Sequence, residues 1–524
     1  MMSELKRWKK EFDMEEMNRM DNIIEVNINH KVSNKPVETL YEGRKLIAEQ
    51  SLAGKHFQSD VTIWVQAYNK LEKTKRCIES ILKYTDDVDY DLLLVDNGSE
   101  DGTFEYFNSL PFPKKTIIKI NNNIGAAFSG EVISLNMFSK YLVSVANDLI
   151  VTKNWLSNML KVMESDETIG MVNPVSSNVS NLQCVDITYS DWDDMQKKAA
   201  VYNRSDPAKW QERLRLITLG TLYRKECIYA IGWPIGDVGF LHDFVDDDIT
   251  FRVRRAGYKA VLAWDTWICH DHPFDQRDSE KLRESICLGR ENFKDKYKDV
   301  DAWDDVNNYI FHYLGSRIKK SSVKKARILG VDTKCGTPIL DIKNRIREYG
   351  IFDAELSAFS QNEKYMEDLR SICTGIVSCD REEYFRDNFP VNYFDYIIIG
   401  KDINRYHEPQ KVLLDAYNML KENGQLLVSL KNTYNIYSLF QLYGMKDDYD
   451  GEFAYNYTVD VFWNAVEKMG MNISYLCNET YHNGIPDATL KYCKNVLSGQ
   501  CEGQQLEEMY ARMLTNRFWF SIEK

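Results

Sequence analysis

Short apolar runs alternate with amphipathic segments through the first half of the chain. Val61–Val65 and Leu92–Val95 are short, largely apolar runs of strand length, and Thr116–Ile120 predicts another strand. Between them, Lys73–Tyr84 repeats its apolar residues with helical spacing, and Phe104–Leu110 predicts a second helix. Strands that alternate with helices in this way are typical of a parallel sheet with helices on both faces.

A second alternating series follows the basic segment Ser316–Lys325. In chain order it predicts a strand over Ala326–Val331, a helix over Ile339–Tyr349, a strand over Phe394–Ile399, a helix over Lys411–Leu420 and a strand over Gln425–Leu430. We therefore expect two open α/β domains, the first over residues 57–315 and the second over residues 325–477.

The two ends of the chain do not share this alternation. Residues 1–56 are polar and charged, and we expect a helical extension with a helix near Val37–Leu52, an unstructured terminus being the alternative. Residues 478–524 also predict helices, and their aromatic end, Phe518–Phe520, is expected to pack on a neighbouring domain. The predicted fold class is α/β, with two successive domains between helical extensions.

Composition and charge narrow the functional class. A chain of 524 residues is too long for one ordinary core, and a formal charge of −13 argues against nucleic acid or an anionic membrane as the partner. No apolar run reaches the roughly 18 residues of a membrane span, and no signal-peptide pattern opens the chain. The 11 cysteines have no paired spacing. We expect a cytoplasmic protein with reduced thiols and no integral membrane segment.

Polar residues at the predicted strand ends carry the candidate chemistry. In an open α/β sheet, ligands collect at the carboxyl ends of the strands. Asp96 follows the run Leu92–Val95 and could accept a hydrogen bond from a pyrimidine N–H. The segment Asn97–Thr103 after it is equally consistent with an ordinary turn and helix cap.

Asp148 follows the next buried strand, Tyr141–Ala146, as a single carboxylate. Carboxylate oxygens suit a divalent metal, and His270 could complete the coordination as a neutral imidazole. The alternatives are a helix cap for Asp148 and a surface or core position for His270. Both interpretations are open from the residues alone.

Three adjacent carboxylates, Asp246, Asp247 and Asp248, precede a short helix that ends at Gly257. Carboxylates at a helix start are favoured by the helix dipole, which explains some of the three but not all. In a cleft beside a metal, one could act as a base toward an acceptor hydroxyl, and another could orient the helix or the substrate.

In their order along the chain, these motifs resemble the family-2 glycosyltransferases with the GT-A fold. The matching pieces over residues of about 60–275 are Tyr68-Asn69, Val95–Ser99 with Asp101–Thr103, Asn123–Gly125, Asn147-Asp148, Gly220 with Arg224, Asp246–Arg252 with Ala256–Tyr258, and His270. The resemblance implies an inverting transfer from a UDP-sugar to an acceptor hydroxyl, usually with Mn²⁺ or Mg²⁺, in which Asp96 contacts the uracil.

The resemblance also implies a role for each matching residue. Asp148 and His270 would bind the metal. Asp246 would be the general base, with Asp247 as the alternative. The nucleotide-sugar set would be Tyr68, Asn69, Asp96, Asn123, Gly125, Asn147 and Gly220. Ala146 stands where the family has the first acid of its Asp-x-Asp motif, which weakens the metal prediction without removing it.

The second α/β series resembles the class I S-adenosylmethionine methyltransferases. The resemblance lies in Arg327–Pro338, Tyr393–Gly400, Asn404–Pro409 and Lys421–Leu430. Asp332 and Pro338 replace glycines of the first strand-to-helix turn, and no acid for the ribose hydroxyls is evident near Leu356–Phe359. We therefore expect a degenerate domain that does not bind S-adenosylmethionine productively.

Three functions are open from the sequence. The first is a soluble glycosyltransferase that takes a sugar from UDP-GlcNAc or UDP-glucose to an acceptor hydroxyl on a glycan precursor or on a protein such as flagellin. The second is a bifunctional enzyme that glycosylates and then methylates its product. The third is a carbohydrate-binding or scaffold protein with an inactive transferase site, suggested by Ala146. The sequence favours no oligomeric state.

Overall fold

The chain forms two compact units in the computed structural model. The residues that the structure describes are 14–20, 23–28, 58–125, 138–232, 235–237, 239–240, 243–272, 279–306, 314–436, 438, 455–480 and 486–524. Contacts divide the chain into Met1–Asn307 and Asn308–Lys524. Each unit is built around its own sheet. Among the described helices, none has the length and apolar character needed to cross a membrane.

The described part of the first unit contains one sheet of eleven strands. They are β1 (Met14–Met20), β2 (Ile23–Ile28), β3 (Val61–Ala67), β4 (Tyr90–Asn97), β5 (Lys115–Ile120), β6 (Tyr141–Ala146), β7 (Leu149–Ile150), β8 (Ile169–Ser176), β9 (Trp210–Glu212), β10 (Thr221–Arg224) and β11 (Lys259–His270). Their order is β1-β2-β5-β4-β3-β6-β10-β8-β11-β7, and β9 pairs with β11. The run β2-β5-β4-β3-β6 is parallel.

Two apolar layers enclose the central strands of this sheet. The helices of the unit are α1 (Leu71–Tyr84), α2 (Thr103–Ser109), α3 (Trp155–Glu164), α4 (Trp192–Tyr202), α5 (Lys225–Ile231), α6 (Val245–Arg255) and α7 (Ser279–Lys296). Ile63 and Val65 pack in one layer with residues of α1 and α3, whereas Trp64 packs in the other with residues of α5 and α6. A strand buried on both faces has a continuous apolar sequence, which explains why these strands are visible in the chain.

The second unit is a doubly wound sheet of seven strands in its described residues. The strands are β12 (Lys325–Val331), β13 (Asp353–Ser360), β14 (Val377–Cys379), β15 (Phe394–Ile399), β16 (Leu420–Lys431), β17 (Asn472–Thr480) and β18 (Thr515–Glu523). Their order is β14-β13-β12-β15-β16-β18-β17. β18 is antiparallel to both its neighbours, and the other pairings are parallel. This is the methyltransferase-like arrangement that the sequence predicts, and its strand order reverses between β12 and β15.

Helices connect the strands of the second unit. They are α8 (Thr337–Glu348), α9 (Met366–Ile372), α10 (Pro409–Met419), α11 (Val459–Lys468), α12 (Asp487–Ser498) and α13 (Gly503–Leu514). Short 3₁₀ helices occur in the two units at Pro207–Lys209, Gly315–Arg317, Glu363–Tyr365, Glu382–Asn388 and Ile403–Arg405. The buried apolar residues of β12, β15, β16 and β18 form a common core with α10 and α11.

The N-terminal extension differs from the helix expected for residues 1–56. Its described residues form the antiparallel pair β1–β2, and β2 joins the parallel sheet beside β5. Ile24 and Val26 are buried while Glu25 between them is exposed, which is the alternation of a strand. The helix predicted near Val37–Leu52 lies outside the described residues.

The C-terminal segment differs from the helical tail expected over residues 478–524. α12 and α13 are helical, but β18 ends the chain as a strand between β16 and β17. Phe518–Phe520 is therefore buried inside the sheet of its own unit, and the unit extends beyond residue 477. The two helices agree with the prediction. The strand β18 was not predicted because strand formation here depends on partners far away in sequence, which a local pattern does not show.

Replacing Phe520 by alanine tests the buried position of β18. The Phe520 side chain is fully buried, and its ring centroid lies 4.9 Å from that of Phe462. We expect Phe520→Ala to lower the free energy of unfolding of this unit by about 3–5 kcal/mol, measured by denaturant titration. The control Tyr492→Ala, on an exposed position of α12, should change it by less than about 0.5 kcal/mol. Equal losses would contradict the placement of β18.

Candidate active site

The end of β4 forms a polar turn around Asp96. The Asp96 carboxylate is buried, and its Oδ1 accepts a hydrogen bond from the Ser99 backbone N–H at 3.0 Å. Its Oδ2 is also buried and has no hydrogen-bond partner among the described residues. Burial raises the pKa of this carboxyl above its ordinary value. Because an unpaired buried acceptor is destabilising, this oxygen is a candidate acceptor for a donor from outside the described residues.

Asn97 and Asn123 join this turn to the next one. Asn97 Nδ2 donates to Asn123 Oδ1 at 3.0 Å, and Asn97 Oδ1 accepts from the Ile124 N–H at 3.1 Å. Asn123 Oδ1 also accepts from the N–H of Gly125 at 2.9 Å. The side chain of Asn123 therefore shapes the turn that stands beside Asp96.

The ends of β3 and β6 are held together by asparagines. Asn69 has a left-handed backbone with φ of 51°, and its Oδ1 accepts from the Glu100 N–H at 3.0 Å. Asn147 Nδ2 donates to the Asn69 carbonyl oxygen at 3.3 Å and to Thr74 Oγ1 at 2.9 Å. Tyr68, next to Asn69, is 45% exposed. Its ring is accessible at the strand end.

A strand of two residues brings Asp148 to His270. β7 pairs antiparallel with the end of β11, and Leu149 lies opposite His270. As a result, Asp148 Oδ1 is 3.8 Å from His270 Nε2. His270 Nδ1 is 3.2 Å from the carbonyl oxygen of Asn178. Since a carbonyl oxygen only accepts, Nδ1 carries a proton, and in the neutral imidazole the Nε2 lone pair faces the carboxylate.

The Asp148–His270 pair suits a divalent cation. Carboxylate oxygens and imidazole nitrogens bind such ions at about 2.0–2.2 Å, so two donors 3.8 Å apart can share one ion. A metal-binding histidine commonly donates its other N–H to a carbonyl, as His270 does. Within the described ranges, no group of three or more His, Cys, Asp and Glu side chains is placed to hold a metal.

The acids of the Asp246–Asp248 triplet lie in the first turn of α6 and differ in their surroundings. Asp248 is fully buried, accepts from Arg252 Nε at 2.8 Å and from the Tyr297 hydroxyl at 2.6 Å, and pairs with Lys296. Burial opposes its ionisation, but the charges of Arg252 and Lys296 outweigh this effect and lower the pKa of Asp248. Asp248 anchors the helix.

Asp247 and Asp246 differ in the group that each one contacts. Asp247 is buried and pairs with the guanidinium of Arg215, which limits the rise in pKa that burial causes. Asp246 is half-buried and accepts a hydrogen bond from the Thr218 hydroxyl. Burial raises the pKa of Asp246 to about 6, the negative charge of Asp247 adds to this rise, and Thr218 partly offsets it. Asp246 therefore has the carboxylate better suited to accept a proton.

The segment Ser177–Gln183 holds the His270 side of the site. The His270 N–H donates to Ser177 Oγ at 3.0 Å, and Asn178 Nδ2 donates to the His270 carbonyl oxygen at 3.3 Å. Together with the contact between the Asn178 carbonyl and the imidazole, these bonds fix both the backbone and the ring of His270.

The last residue of this segment, Gln183, supports the part of the site around Asp246 by bonding the backbone of Ile217. Gln183 Oε1 accepts from the Ile217 N–H at 2.7 Å, and its Nε2 donates to the Ile217 carbonyl oxygen at 3.1 Å. Ile217 directly precedes Thr218, which bonds Asp246. No sequence motif marks Gln183 or Thr218, so sequence reasoning missed both of these supporting residues.

Gly220 directly precedes β10, whose first residue, Thr221, pairs with Ser144 of β6. The φ of Gly220 is +61°, and an added Cβ would lie 2.8 Å from the Cδ1 atom of Ile268. A glycine here allows the chain before β10 to pack closely on β11. Its inclusion among the ligand-binding residues stays a prediction.

The comparison with protein families matches the first unit. The model of glycosyl transferase family 2 matches residues 62–208. The chondroitin synthase of Pasteurella multocida (strain Pm70) is 22% identical over 449 residues, which cover 80% of this chain and 42% of that relative. The chain thus spans less than half the length of this relative.

Two solved structures are similar to parts of the chain. The mannosyltransferase PcManGT from Pyrobaculum calidifontis, in complex with GDP-Man and Mn²⁺, is 17% identical and covers 49% of this chain and 72% of that one, with a TM-score of 0.33. A SAM-dependent methyltransferase from Archaeoglobus fulgidus is 13% identical and covers 47% of this chain and 100% of that one, with a TM-score of 0.30.

Replacing Gly98 by alanine tests the turn that carries Asp96. Gly98 has a φ of +75°, and an added Cβ would lie 2.4 Å from a backbone carbon of Asn122. Gly257 has a φ of +87° with no atom within 4 Å of such a Cβ. Both alanine variants acquire left-handed strain of about 1–2 kcal/mol, but only Gly98→Ala adds a backbone collision. Its melting temperature should fall further than that of Gly257→Ala. Equal shifts would contradict the turn geometry.

Proposed function

Because the chain carries a family-2 glycosyltransferase domain followed by a methyltransferase-like domain, we propose that it is an inverting enzyme that transfers a sugar from a UDP-sugar to an acceptor hydroxyl. The proposal depends above all on one observation. The domain places the Asp148–His270 pair and the carboxylate of Asp246 on two sides of the same segment, Ser177–Gln183. The Asp148–His270 pair would stabilise the leaving group, and the carboxylate of Asp246 would accept the proton of the nucleophile.

The uracil is the group that fits Asp96. The ring N–H of uracil is a donor, and Asp96 Oδ2 is a buried acceptor without a donor in the described residues. The exposed ring of Tyr68 lies at the neighbouring strand end and would stack on the base or ribose. UDP-GlcNAc and UDP-glucose are the donors that we propose to test first.

Asp148 and His270 would hold Mn²⁺ or Mg²⁺. When bound, the ion supplies positive charge to the departing diphosphate. The chain's own contribution is orientation: the β7–β11 pairing sets the distance between the two side chains, and the Asn178 carbonyl keeps the His270 lone pair directed toward Asp148.

Asp246 is the proposed general base. It takes the proton of the acceptor hydroxyl while the acceptor oxygen forms a bond to the anomeric carbon, and the bond from that carbon to the diphosphate oxygen breaks with both electrons leaving on UDP. Attack opposite the leaving group inverts the anomeric centre. With a pKa of about 6, Asp246 is a stronger base than an ordinary carboxylate and is still ionised at neutral pH.

A sugar is the acceptor that the surface beside His270 favours. Tyr189 and Trp192 are 36% and 44% exposed, and their ring centroids are 5.9 Å apart. The Tyr189 hydroxyl is 3.8 Å from Sγ of Cys269, the residue before His270. Exposed aromatic faces bind the C–H faces of sugar rings, so we propose a glycan acceptor in preference to a protein such as flagellin.

The base assignment is tested with the purified chain, a panel of UDP-sugars and glycan acceptors, and mass spectrometry of the products. Asp246→Asn should lower kcat by about 10²–10⁴-fold because the acceptor proton loses its base. In the wild-type chain, kcat/KM should fall as the pH drops through about 6, because protonated Asp246 cannot act as a base. Asp247→Asn is the matched control. It should keep most of the kcat, and it should move the fall in kcat/KM to lower pH because the negative charge of Asp247 no longer raises the pKa of Asp246. Full activity of Asp246→Asn would refute the assignment.

The metal assignment is tested by titrating Mn²⁺ into the chelator-treated chain during the same reaction. Asp148→Asn and His270→Gln should each raise the Mn²⁺ concentration for half-maximal activity by about tenfold or more, because each removes a ligand. His272→Gln is the neighbouring control, with its ring 5.7 Å from that of His270, and should leave the titration unchanged. Wild-type titrations for both ligand variants would contradict the proposed site.

A further inference from the structure

The second unit contains a cavity at the carboxyl ends of three strands. Its volume is about 460 Å³, which is within the range of small-ligand sites. The side chains that matter for its chemistry are Asp332, Lys334, Gln361, Lys401, Asp402 and Arg405. They follow β12, β13 and β15, where the strand order reverses and open α/β sheets bind ligands.

The two carboxylates of this cavity already have internal partners. Asp332 accepts from the backbone N–H and from Nε2 of Gln361 at 2.8 and 2.7 Å, and from the Tyr406 hydroxyl at 2.8 Å. Asp402 accepts from Ser429 Oγ at 2.8 Å and from Arg517 Nε at 2.6 Å. The charge of Asp402 is therefore compensated by arginine, whereas the donors to Asp332 are neutral groups that occupy its oxygens without cancelling its charge.

The cavity wall has an excess of positive charge. Its lining contains four cationic side chains, the fourth being Arg517, and only the two carboxylates Asp332 and Asp402. Arg405 and Arg517 share Asp402, and Arg517 also pairs with Glu479, which is not part of the lining. With Glu479 counted, the positive side chains exceed the negative ones by one. Lys401 Nζ lies 4.7 Å from the centre of the Tyr406 ring, which holds its ammonium at the wall.

This charge does not fit S-adenosylmethionine. That cofactor has a sulfonium and an ammonium against one carboxylate, so it is a net cation, and its ribose hydroxyls are commonly held by an acid after the second strand. After β13 this chain has Gln361 and Asn362, which are neutral, and Gln361 Nε2 is bonded to Asp332. Like charges across the cavity would oppose binding of the cofactor.

We propose that this cavity binds a phosphate-bearing ligand of mononucleotide size, a nucleotide or a sugar phosphate, in place of S-adenosylmethionine. Lysine ammonium groups and arginine guanidinium groups are the side chains that bind phosphate oxygens in proteins. Lys401 and Lys334 contact the phosphate, while Gln361 and Asn362 face the sugar hydroxyls. The site is separate from the transferase domain, and the proposal does not depend on the transfer reaction.

Isothermal titration of the full chain tests the proposal with five probes: AMP, UDP, glucose 1-phosphate, S-adenosylmethionine and S-adenosylhomocysteine. We expect at least one phosphate probe to bind, and S-adenosylmethionine to bind more weakly than any phosphate probe that does. Binding of AMP without glucose 1-phosphate would identify a nucleotide, and the reverse would identify a sugar phosphate. No phosphate binding at about 5 mM, or tighter binding of either adenosyl probe, would overturn the proposal.

Charge variants assign the binding to this cavity and not to the first unit. Lys401→Glu should weaken the phosphate probe by about tenfold or more, because it adds a negative charge at the wall. Lys334→Gln should weaken it less. Lys324→Glu changes an exposed lysine just before β12, outside the lining, and should leave the affinity unchanged. Unchanged binding in both cavity variants would overturn the assignment, and matching melting temperatures would exclude unfolding as the cause of any loss.

Discussion

The antiparallel pairing of β7 with the end of β11 is the contact on which the candidate active site depends. β7 has only two residues, and its register sets Leu149 opposite His270. The Asp271 N–H bonds the carbonyl oxygen of Asp148 at 2.9 Å and continues the pairing. A shift of one residue would turn His270 to the other face of the strand. Backbone register, more than the number of acids, therefore creates the Asp148–His270 pair.

The segment Ser177–Gln183 connects this pair with the acidic first turn of α6. It bonds the backbone and ring of His270 at one end, and through Gln183 it holds the chain that leads to Thr218 at the other. The Asp248 network fixes the same turn of α6 from inside the protein. The position of Asp246 is thus determined by contacts on both sides, which keeps a half-buried carboxylate with a raised pKa in place.

The sequence predicts the parts of this molecule that depend on local pattern. The strands of both sheets that are buried on two faces were recognisable, and so were the strand-end residues Asp96 and Asp148. The different surroundings of Asp246 and Asp247 were not, because they depend on Arg215, which is distant in sequence and belongs to no motif. β18 and the pair β1–β2 were also missed, since each becomes a strand only through pairing with distant segments. The charged side chains that line the cavity of the second unit likewise come from four separate segments of the chain, so a local pattern does not show them together.

Anomalous diffraction at the manganese edge tests most directly whether the β7–β11 pairing builds a metal site from Asp148 and His270. Crystals of the full chain grown with UDP and Mn²⁺ should contain one ion within about 2.0–2.3 Å of an Asp148 carboxylate oxygen and of His270 Nε2, bridged to the diphosphate. An ion bound to the diphosphate without either side chain, or an ion at another place in the first unit, would contradict the account of how β7 and β11 build this site.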